Sequence, residues 1–361
     1  MFFLLIQNLQ IDPQAIFFAN GEISDYSKVT SYLESFEETP PLIAVDGGFN
    51  YCYQMDITPT VIVGDMDSAN PLWMSSPPYN AVEKILLDRA KDCTDLGFAL
   101  ETYHRPETAS VLFGAFGYRP DHSLYNLYLL LKYPKELFLF TEDAVLFALS
   151  ETHPDMHIHP HDLHLTLFPF YGKSRVLLND QSIEFEQFNQ RLEVSSNEEL
   201  TIRVTQGEVL VLLANNSPNA AYHFLTSLLH TPSENRVFLE ANQHYELQTQ
   251  VGQTLSLFPL FSHAILETHG LKWDLGGAFD TLDKNFLSLS NVSEGEKVEI
   301  QMKEGRILCF LTDKIDEEML SLEDLTSTGV LTKPKLLPKE AFPAPHLPLV
   351  EEVESLWIPA E

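Results

Sequence analysis

A doubly wound α/β domain followed by a duplicated all-β unit is the fold predicted by three features of the 361-residue sequence. Up to about residue 135, short runs that are apolar throughout alternate with stretches of helical period. Beyond it the chain changes to short alternating strands separated by turn residues. Within that second part, two pairs of segments resemble each other.

The apolar runs of the first part are Ala15–Ala19, Leu42–Val45, Val61–Val63 and Val111–Phe113, with a shorter one at Leu86–Leu87. Strands of a parallel sheet are covered on both faces, so they read as unbroken apolar runs and not as alternating ones. Leu96, Ala99, Leu100 and Tyr103 lie at i, i+3, i+4 and i+7, and Leu124, Leu127, Tyr128 and Leu131 repeat that spacing. Such spacing predicts helices with one buried face, the second ended by Pro134. Strands alternating with helices make a mainly parallel sheet.

The repeat is carried by Leu165–Phe185 against Leu255–Trp273 and by Leu192–Leu213 against Leu287–Leu311. A β unit of about 75–100 residues, a common size for small domains, is therefore present twice. The predicted organisation is an α/β domain over 1–135, a first β repeat with its linker over 136–235, a second over 236–314, and a tail over 315–361. Residues 217–232 read as a linking helix or loop, and the Pro-rich acidic tail as extended or disordered.

Charge narrows the function. Lys and Arg number 22 against 52 Asp and Glu, a net charge of −30. That field repels nucleic acid and anionic membranes, so neither is expected as a partner. Three widely spaced cysteines, Cys52, Cys93 and Cys309, do not make a disulfide framework and fit a reducing cytoplasm. The opening MFFLLIQ lacks a basic region and a cleavage site and reads as a strand, not a signal peptide. No apolar run approaches the length of about 18 residues needed to span a bilayer.

Three of the apolar strands run into turns that carry aspartate. Leu42–Val45 leads to Asp46-Gly47-Gly48, Val61–Val63 to Gly64-Asp65-Met66-Asp67-Ser68, and Val111–Phe113 to Gly114 through His122, with Arg119 and Asp121 between. In a parallel sheet these turns emerge at one edge, where open α/β folds bind ligands. Converging carboxylates repel one another, and a divalent cation with hard oxygen ligands, such as Mg²⁺, removes the penalty. The glycines would let backbone approach phosphate, and Arg119 offers a planar fork for phosphate oxygens. Lys91-Asp92-Cys93-Thr94-Asp95 opens the first of the two helices and adds two more carboxylates. Each piece has a plainer reading: Asp46-Gly47-Gly48 as a turn, Asp92, Thr94 or Asp121 as helix caps, His122 as a helix-start residue.

The ordered set resembles the thiamine pyrophosphokinase family. The resemblance runs through Asn20-Gly21-Glu22, Val45–Asn50, Ile57-Thr58-Pro59, Gly64–Ser68, Lys91–Asp95 and Gly114–His122 with Asn126. It resumes in the second β copy at Thr268–Leu275 and Ser288–Asn291. It implies a catalytic α/β domain and a β-sandwich that binds thiamine. The implied reaction moves pyrophosphate from ATP to the thiamine hydroxyl, gives thiamine diphosphate and AMP, and needs Mg²⁺. It further implies a homodimer with thiamine held between the α/β domain of one subunit and the β domain of the other.

On that basis Asp46, Asp65, Asp67, Asp92 and Asp95 are the expected metal ligands. Asp67, Asp95, Arg119 and Asp121 are the expected catalytic groups, with Asp67 or Asp95 facing the hydroxyl. Asn20, Asp46, Gly47, Gly48, Thr94 and His122 would shape the nucleotide site. Trp273 would stack on the thiazolium cation, with sheet packing as its plainer reading, and Ser288, Ser290 and Asn291 would bond the aminopyrimidine or else end a strand. The sequence departs from the family at Tyr118, in a tight turn, and at Cys93. In the first copy Phe185 and Ser182 stand for Trp273 and Gly270, although a Ser-Ser-Asn survives at 195–197, so that copy is expected to be structural or dimer-forming. His153, His157, His159, His161 and His164 could in principle bind zinc or nickel, but no motif completes such a site. The competing readings are a catalytically weak thiamine or nucleotide sensor, another nucleotide-dependent transferase, and a structural protein.

Overall fold

The computed structural model describes residues 9, 11–88, 93–117, 119–141, 143–158, 163–186, 190–195, 199–215, 236–312 and 335–336. The expected N-terminal strand over 1–7, the 217–232 linker and nearly all of the tail lie outside these residues.

Six parallel strands form the first sheet: β1 (Pro13–Phe18), β2 (Leu42–Val45), β3 (Val61–Gly64), β4 (Glu83–Leu86), β5 (Ala109–Phe113) and β6 (Leu137–Phe140). Their order is β6-β5-β1-β2-β3-β4. Every residue of β2, β3 and β6 is buried, as the apolar runs require. The helices are α1 (Tyr26–Leu33), α2 (Gly48–Gln54), α3 (Pro71–Ser75), α4 (Asp95–Tyr103) and α5 (Pro120–Lys132). Pro120 opens α5, where its missing N–H costs nothing, and Leu124, Leu127, Tyr128 and Leu131 bury its inner face. Strand order reverses at β1, since β2 lies on one side of it and β5 on the other. The crevice at such a reversal, at the carboxyl ends of the strands, is where open α/β sheets take ligands.

β6 belongs to this parallel sheet, so the first domain extends to Phe140, beyond the boundary at 135 that the change of pattern suggests. The sheet then continues without a break. β7 (Ala144–Ser150) pairs antiparallel with β6, and β14 (Glu208–Asn215), β9 (Leu163–Phe168) and β12 (Leu192–Ser195) follow in that order. A second layer of β8 (Asp155–Ile158), β13 (Leu200–Gln206), β10 (Ser174–Leu178) and β11 (Gln181–Phe185) completes a sandwich.

The second β unit repeats the first strand for strand. β15 (Arg236–Glu240), β22 (Arg306–Thr312), β17 (Thr254–Pro259) and β20 (Ser288–Val292) match β7, β14, β9 and β12 in order. β16 (His244–Gln248), β21 (Lys297–Glu304), β18 (Ala264–His269) and β19 (Thr281–Leu282) match β8, β13, β10 and β11. Within the tail, β23 (Lys335–Leu336) lies parallel to β4 at the far edge of the large sheet.

The two units are packed differently. The interior of the first sandwich is continuous with the core on one face of the parallel sheet, where Phe147, Leu165, Val176 and Ile202 join Phe18 and Phe113. The second sandwich has its own interior around Leu257, Leu266, Val298 and Ile307. Its outer residues Phe258, Leu308 and Phe310 join a third cluster with Leu127 and Tyr128 of α5 and Phe168 of β9.

Candidate active site

The loops after β2 and β3 are stitched together before any ligand is considered. Asp46 N donates to Val63 O at 2.8 Å and Ser68 N to Asp46 Oδ1 at 3.3 Å. Asn50 spans the same gap, donating to Ser68 O at 2.9 Å and accepting from Asn70 N at 2.8 Å. Gly47 and Gly48 serve close packing. A Cβ on Gly47 would meet Asn20 Oδ1 at 2.1 Å, and one on Gly48 would meet Phe18 O at 1.9 Å. Asn20 thus packs against the Asp46 turn. Across the crevice at the strand reversal, Gly21 N donates to Gly114 O at 2.8 Å.

Asp46, Asp65 and Asp67 come together, with ligand oxygens within 4.8 Å of one another. Asp46 is buried and adopts a left-handed φ of 46°, while Asp67 is exposed. Burial, and then the nearby Asp67, Asp95 and Asp65 carboxylates, push the Asp46 carboxyl up to about 7. Three hard oxygen donors that repel one another this strongly suit a divalent cation of the Mg²⁺ type. Asp95, in the first turn of α4, acts on Asp46 through its charge but is not in the 4.8 Å group. Thr94 caps α4, its hydroxyl accepting from Gly97 N at 2.9 Å. Asp92 lies outside the described residues, as does Tyr118.

Asp121, expected among the catalytic groups, lies outside the group formed by Asp46, Asp65 and Asp67. It is 0% exposed and receives Arg119 through both oxygens, at 3.0 and 2.6 Å. Ser256 donates to it as well, at 2.8 Å. Burial alone would raise its carboxyl. The Arg119 hydrogen bonds, the Arg119 charge and the Ser256 bond outweigh that and hold it below the ordinary range. Three hydrogen bonds thus reach the carboxylate, two of them from Arg119, whose guanidinium it holds in place.

The second β unit reaches this arginine. Arg119 Nη2 donates to Ser290 Oγ at 3.0 Å, and His122 Nε2 lies 3.3 Å from the same oxygen. Burial, reinforced by Arg119, pushes His122 down to about 4 and keeps it neutral. The Ser290 hydroxyl, already accepting from Arg119, can then donate to Nε2. Asp67 also acts on His122 electrostatically, which brings the carboxylate group and the Arg119 network within one field. Ser290 reaches so far because it is a bulged residue: the β17–β20 ladder shifts register between Leu255 and Leu257, and Ser290 has a φ of 54°. Bulges re-aim side chains in this way. Ser256 Oγ accepts from Ser290 N at 3.0 Å, so one hydroxyl holds both the bulge and Asp121.

Ser288, Asn291 and Trp273 are grouped apart from Arg119. Asn291 is buried, accepts from Trp273 N at 3.2 Å and donates to Trp273 O at 2.7 Å and Ser288 Oγ at 3.4 Å. These bonds shape the loop bearing Trp273, a residue 41% exposed, with Lys272 Nζ 4.5 Å from its ring centroid. In the first copy the β9–β12 ladder runs without a shift. Leu192 opposite Leu167 takes the place of Ser288, and Val194 opposite Leu165 takes that of Asn291. Ser195 therefore matches Val292, so the 195–197 triplet is not the counterpart of Ser288–Asn291; residues 196–197 lie outside the described ones. Phe185 ends a tight hairpin and is a core residue, where the second copy has the Trp273 loop.

Asn50 and Ser256 carry no expected role from sequence; Ser256 is one small polar residue inside an apolar strand, and nothing marks it. Of the histidine cluster, His153 lies 3.8 Å from Glu136 and His157 3.5 Å from Glu199, while 159 and 161 lie outside the described residues. The three cysteines are free. Among the described residues no helix is long and apolar enough to cross a membrane.

At the ligand-binding edge of the parallel sheet a carboxylate group and an arginine are thus reached by a β-sandwich, an arrangement that suits a divalent cation with a phosphate-bearing ligand. Two family models match the chain in that order: the catalytic domain of thiamin pyrophosphokinase over residues 32–139, and its vitamin B1 binding domain over 243–307. The chain belongs to the thiamin pyrophosphokinase family, and ATP and thiamine are its substrates. The first β repeat lies between the two matched spans.

Solved structures of thiamin pyrophosphokinases are also similar. That from Geobacillus thermodenitrificans is 17% identical, covers 56% of this chain and 98% of its own, and has a TM-score of 0.48. That from Bacillus subtilis is 16% identical over 83% and 99%, with a TM-score of 0.32, and that from Candida albicans 15% over 85% and 90%, with 0.33. At these values the family assignment rests on the two family models. No curated protein matches the sequence.

Proposed function

We propose that the protein transfers the pyrophosphoryl group of ATP to the thiamine hydroxyl at the edge between β2, β3 and α5. The observation that carries this siting is the convergence of Asp46, Asp65 and Asp67 within 4.8 Å, in the same field as an Arg119 held by both domains. Asp46, Asp65 and Asp67 would hold Mg²⁺, which when bound offsets phosphate charge. The hydroxyl oxygen of thiamine forms a bond to the β-phosphorus of ATP, the bond from that phosphorus to the α-phosphate bridging oxygen breaks, and AMP leaves. Asp67, the exposed member of the group, takes the hydroxyl proton. Arg119 neutralises charge on the moving group, and such transfers are accelerated mainly by positioning and charge neutralisation. Asp121 acts as a positioning residue for Arg119, and Asp95 sets the field around Asp46. Trp273 offers its exposed face to the thiazolium cation. Free cysteines and a need for ATP fit work in the cytoplasm.

The test is product analysis of the purified protein with ATP, Mg²⁺ and thiamine. Thiamine diphosphate with equimolar AMP is the expected result. Thiamine binding without product would overturn the catalytic reading.

A further inference from the structure

The two β units meet through the same surface of each. By ladder register, Phe168 corresponds to Phe258, Leu210 to Leu308 and Leu212 to Phe310. All six are buried in one cluster. Tyr171 and Phe261, which follow the corresponding strands at the same distance, form a parallel bridge with each other. A contact that uses the same surface on both units, with Tyr171 meeting its own counterpart Phe261, follows the isologous pattern of a two-fold dimer. Here both halves belong to one polypeptide.

The polar contacts point the same way. Ser256 donates to Asp121, Arg119 donates to Ser290, and Tyr128 OH donates to Pro259 O, each joining the second unit to the α/β domain of its own chain. Asp121, Tyr128 and Ser256 are all at most 2% exposed, so these are interior contacts. The first unit is fixed to the same α/β domain by the unbroken sheet through β6 and β7.

We infer that the transferase site is completed within a single chain, the first β unit acting as the platform on which the second docks. This rests on the reading that Arg119 and the second unit serve one site. The internal pairing takes the place of the homodimer that the family resemblance implies, and no group from a second copy is required. It also accounts for the divergence of the copies. The platform carries Leu192 and Val194 where the ligand-bearing copy carries Ser288 and Asn291, and it has no counterpart of the Ser290 bulge.

Two experiments test it. In the first, Asp67→Asn and Trp273→Ala/Ser290→Ala chains, each strongly impaired when assayed at thiamine well below the wild-type KM, are co-expressed with different tags and purified through both. The expected result is no doubly tagged species, or one no more active than its parents. Recovery of about half the wild-type activity per heterodimer would overturn the inference, since one of two shared sites would then be intact. The second needs no activity and decides the matter if the wild type makes no product or a variant stays active. Tyr171→Cys and Phe261→Cys are combined in a Cys93→Ser background and oxidised. A disulfide within a chain of monomer size is expected on a non-reducing gel. A dimer-sized product, or no cross-link, would overturn the inference.

Discussion

Replacing Asp46 by Asn isolates the energetic tension at the centre of the carboxylate group. The side chain keeps its shape, and the left-handed φ of 46° is one that Asn tolerates well. The Asn oxygen can still accept from Ser68 N. What is lost is the charge. In the metal-free protein the Asp46 carboxyl sits at about 7 against an ordinary 3.8. Between those values the folded protein retains a proton that the unfolded chain has lost, so stability falls as pH rises, by about 1.4 kcal/mol per pH unit. The full cost, on the order of 4 kcal/mol, is reached above pH 7. Mg²⁺ displaces the proton and removes the cost. At pH 5.5 about one molecule in thirty has Asp46 ionised, so Mg²⁺ should bind roughly thirtyfold more weakly than its limit above pH 7. The assay is thermal unfolding at pH 5.5 and 8, with and without Mg²⁺, for wild type and Asp46→Asn. The metal-free variant should be more stable than wild type at pH 8 by roughly 5–10 °C, nearly equal to it below pH 4, and unresponsive to Mg²⁺. An unchanged pH profile, or a Mg²⁺ response as large as that of the wild type, would refute the reasoning.

Asp67→Asn should reduce turnover at least a hundredfold and, because it removes a charge that raises the Asp46 carboxyl, should not lower the unfolding midpoint of the Mg²⁺-free protein at pH 8, read by AMP release and calorimetry. Trp273→Ala should raise the KM for thiamine about tenfold, with the KM for ATP unchanged, because a stacked cation–aromatic contact is worth about 1–2 kcal/mol. Ser256→Ala removes a hydrogen bond to a charged, buried carboxylate and the support of the Ser290 bulge; kcat should fall about tenfold, with partial rescue by Ser256→Thr, where a merely structural role would lower stability and leave kcat alone. Phe258→Ala should cost about 3–5 kcal/mol of stability, measured by denaturant unfolding.

The parts legible in the sequence are those where burial leaves a pattern. Leu42–Val45 reads as a buried parallel strand because both of its faces are covered, and it forms β2 with those bounds. Leu124, Leu127, Tyr128 and Leu131 recur at helical spacing and mark α5 as a helix, although Leu129 and Leu130 are buried as well and the helix is covered on most of its surface. The duplicated unit shows because its strand-for-strand topology constrains both copies alike. Hidden parts depend on who pairs with whom. Leu137–Phe140 is an apolar run that would look the same in a parallel sheet or in a sandwich, so the end of the α/β domain is invisible until β5 is seen beside it. Asp121 follows Arg119 by two residues, yet only geometry tells a carboxylate that holds an arginine from a metal ligand. The glycines after β2 suggest room for phosphate, whereas the contacts that forbid a Cβ there come from Asn20 and Phe18. The Ser290 bulge leaves no mark, because inserting one residue into a strand changes neither composition nor period enough to be seen.

Why a chain would retain two copies of a sandwich when one carries the ligand groups follows from the surface each must hide. The β9–β14 face of the first copy presents Phe168, Leu210 and Leu212, and the second presents Phe258, Leu308 and Phe310. An apolar sheet face of this kind has to be covered by another layer. Two separate chains could cover each other, but only at concentrations set by their affinity. Tethering turns the encounter into an intramolecular one at an effective concentration of about millimolar. Once the pairing is internal, the two faces no longer have to carry identical chemistry behind them. The copy continuous with the catalytic sheet can give up Ser288 and Asn291 for Leu192 and Val194 and gain core stability. The other can hold a strained serine at φ 54° against Arg119, because the strain is borne by a docked and well-packed interface. In a symmetric dimer of single units, both copies would have to combine the strained residue with the docking surface, and any change that strengthened one role would act on the other.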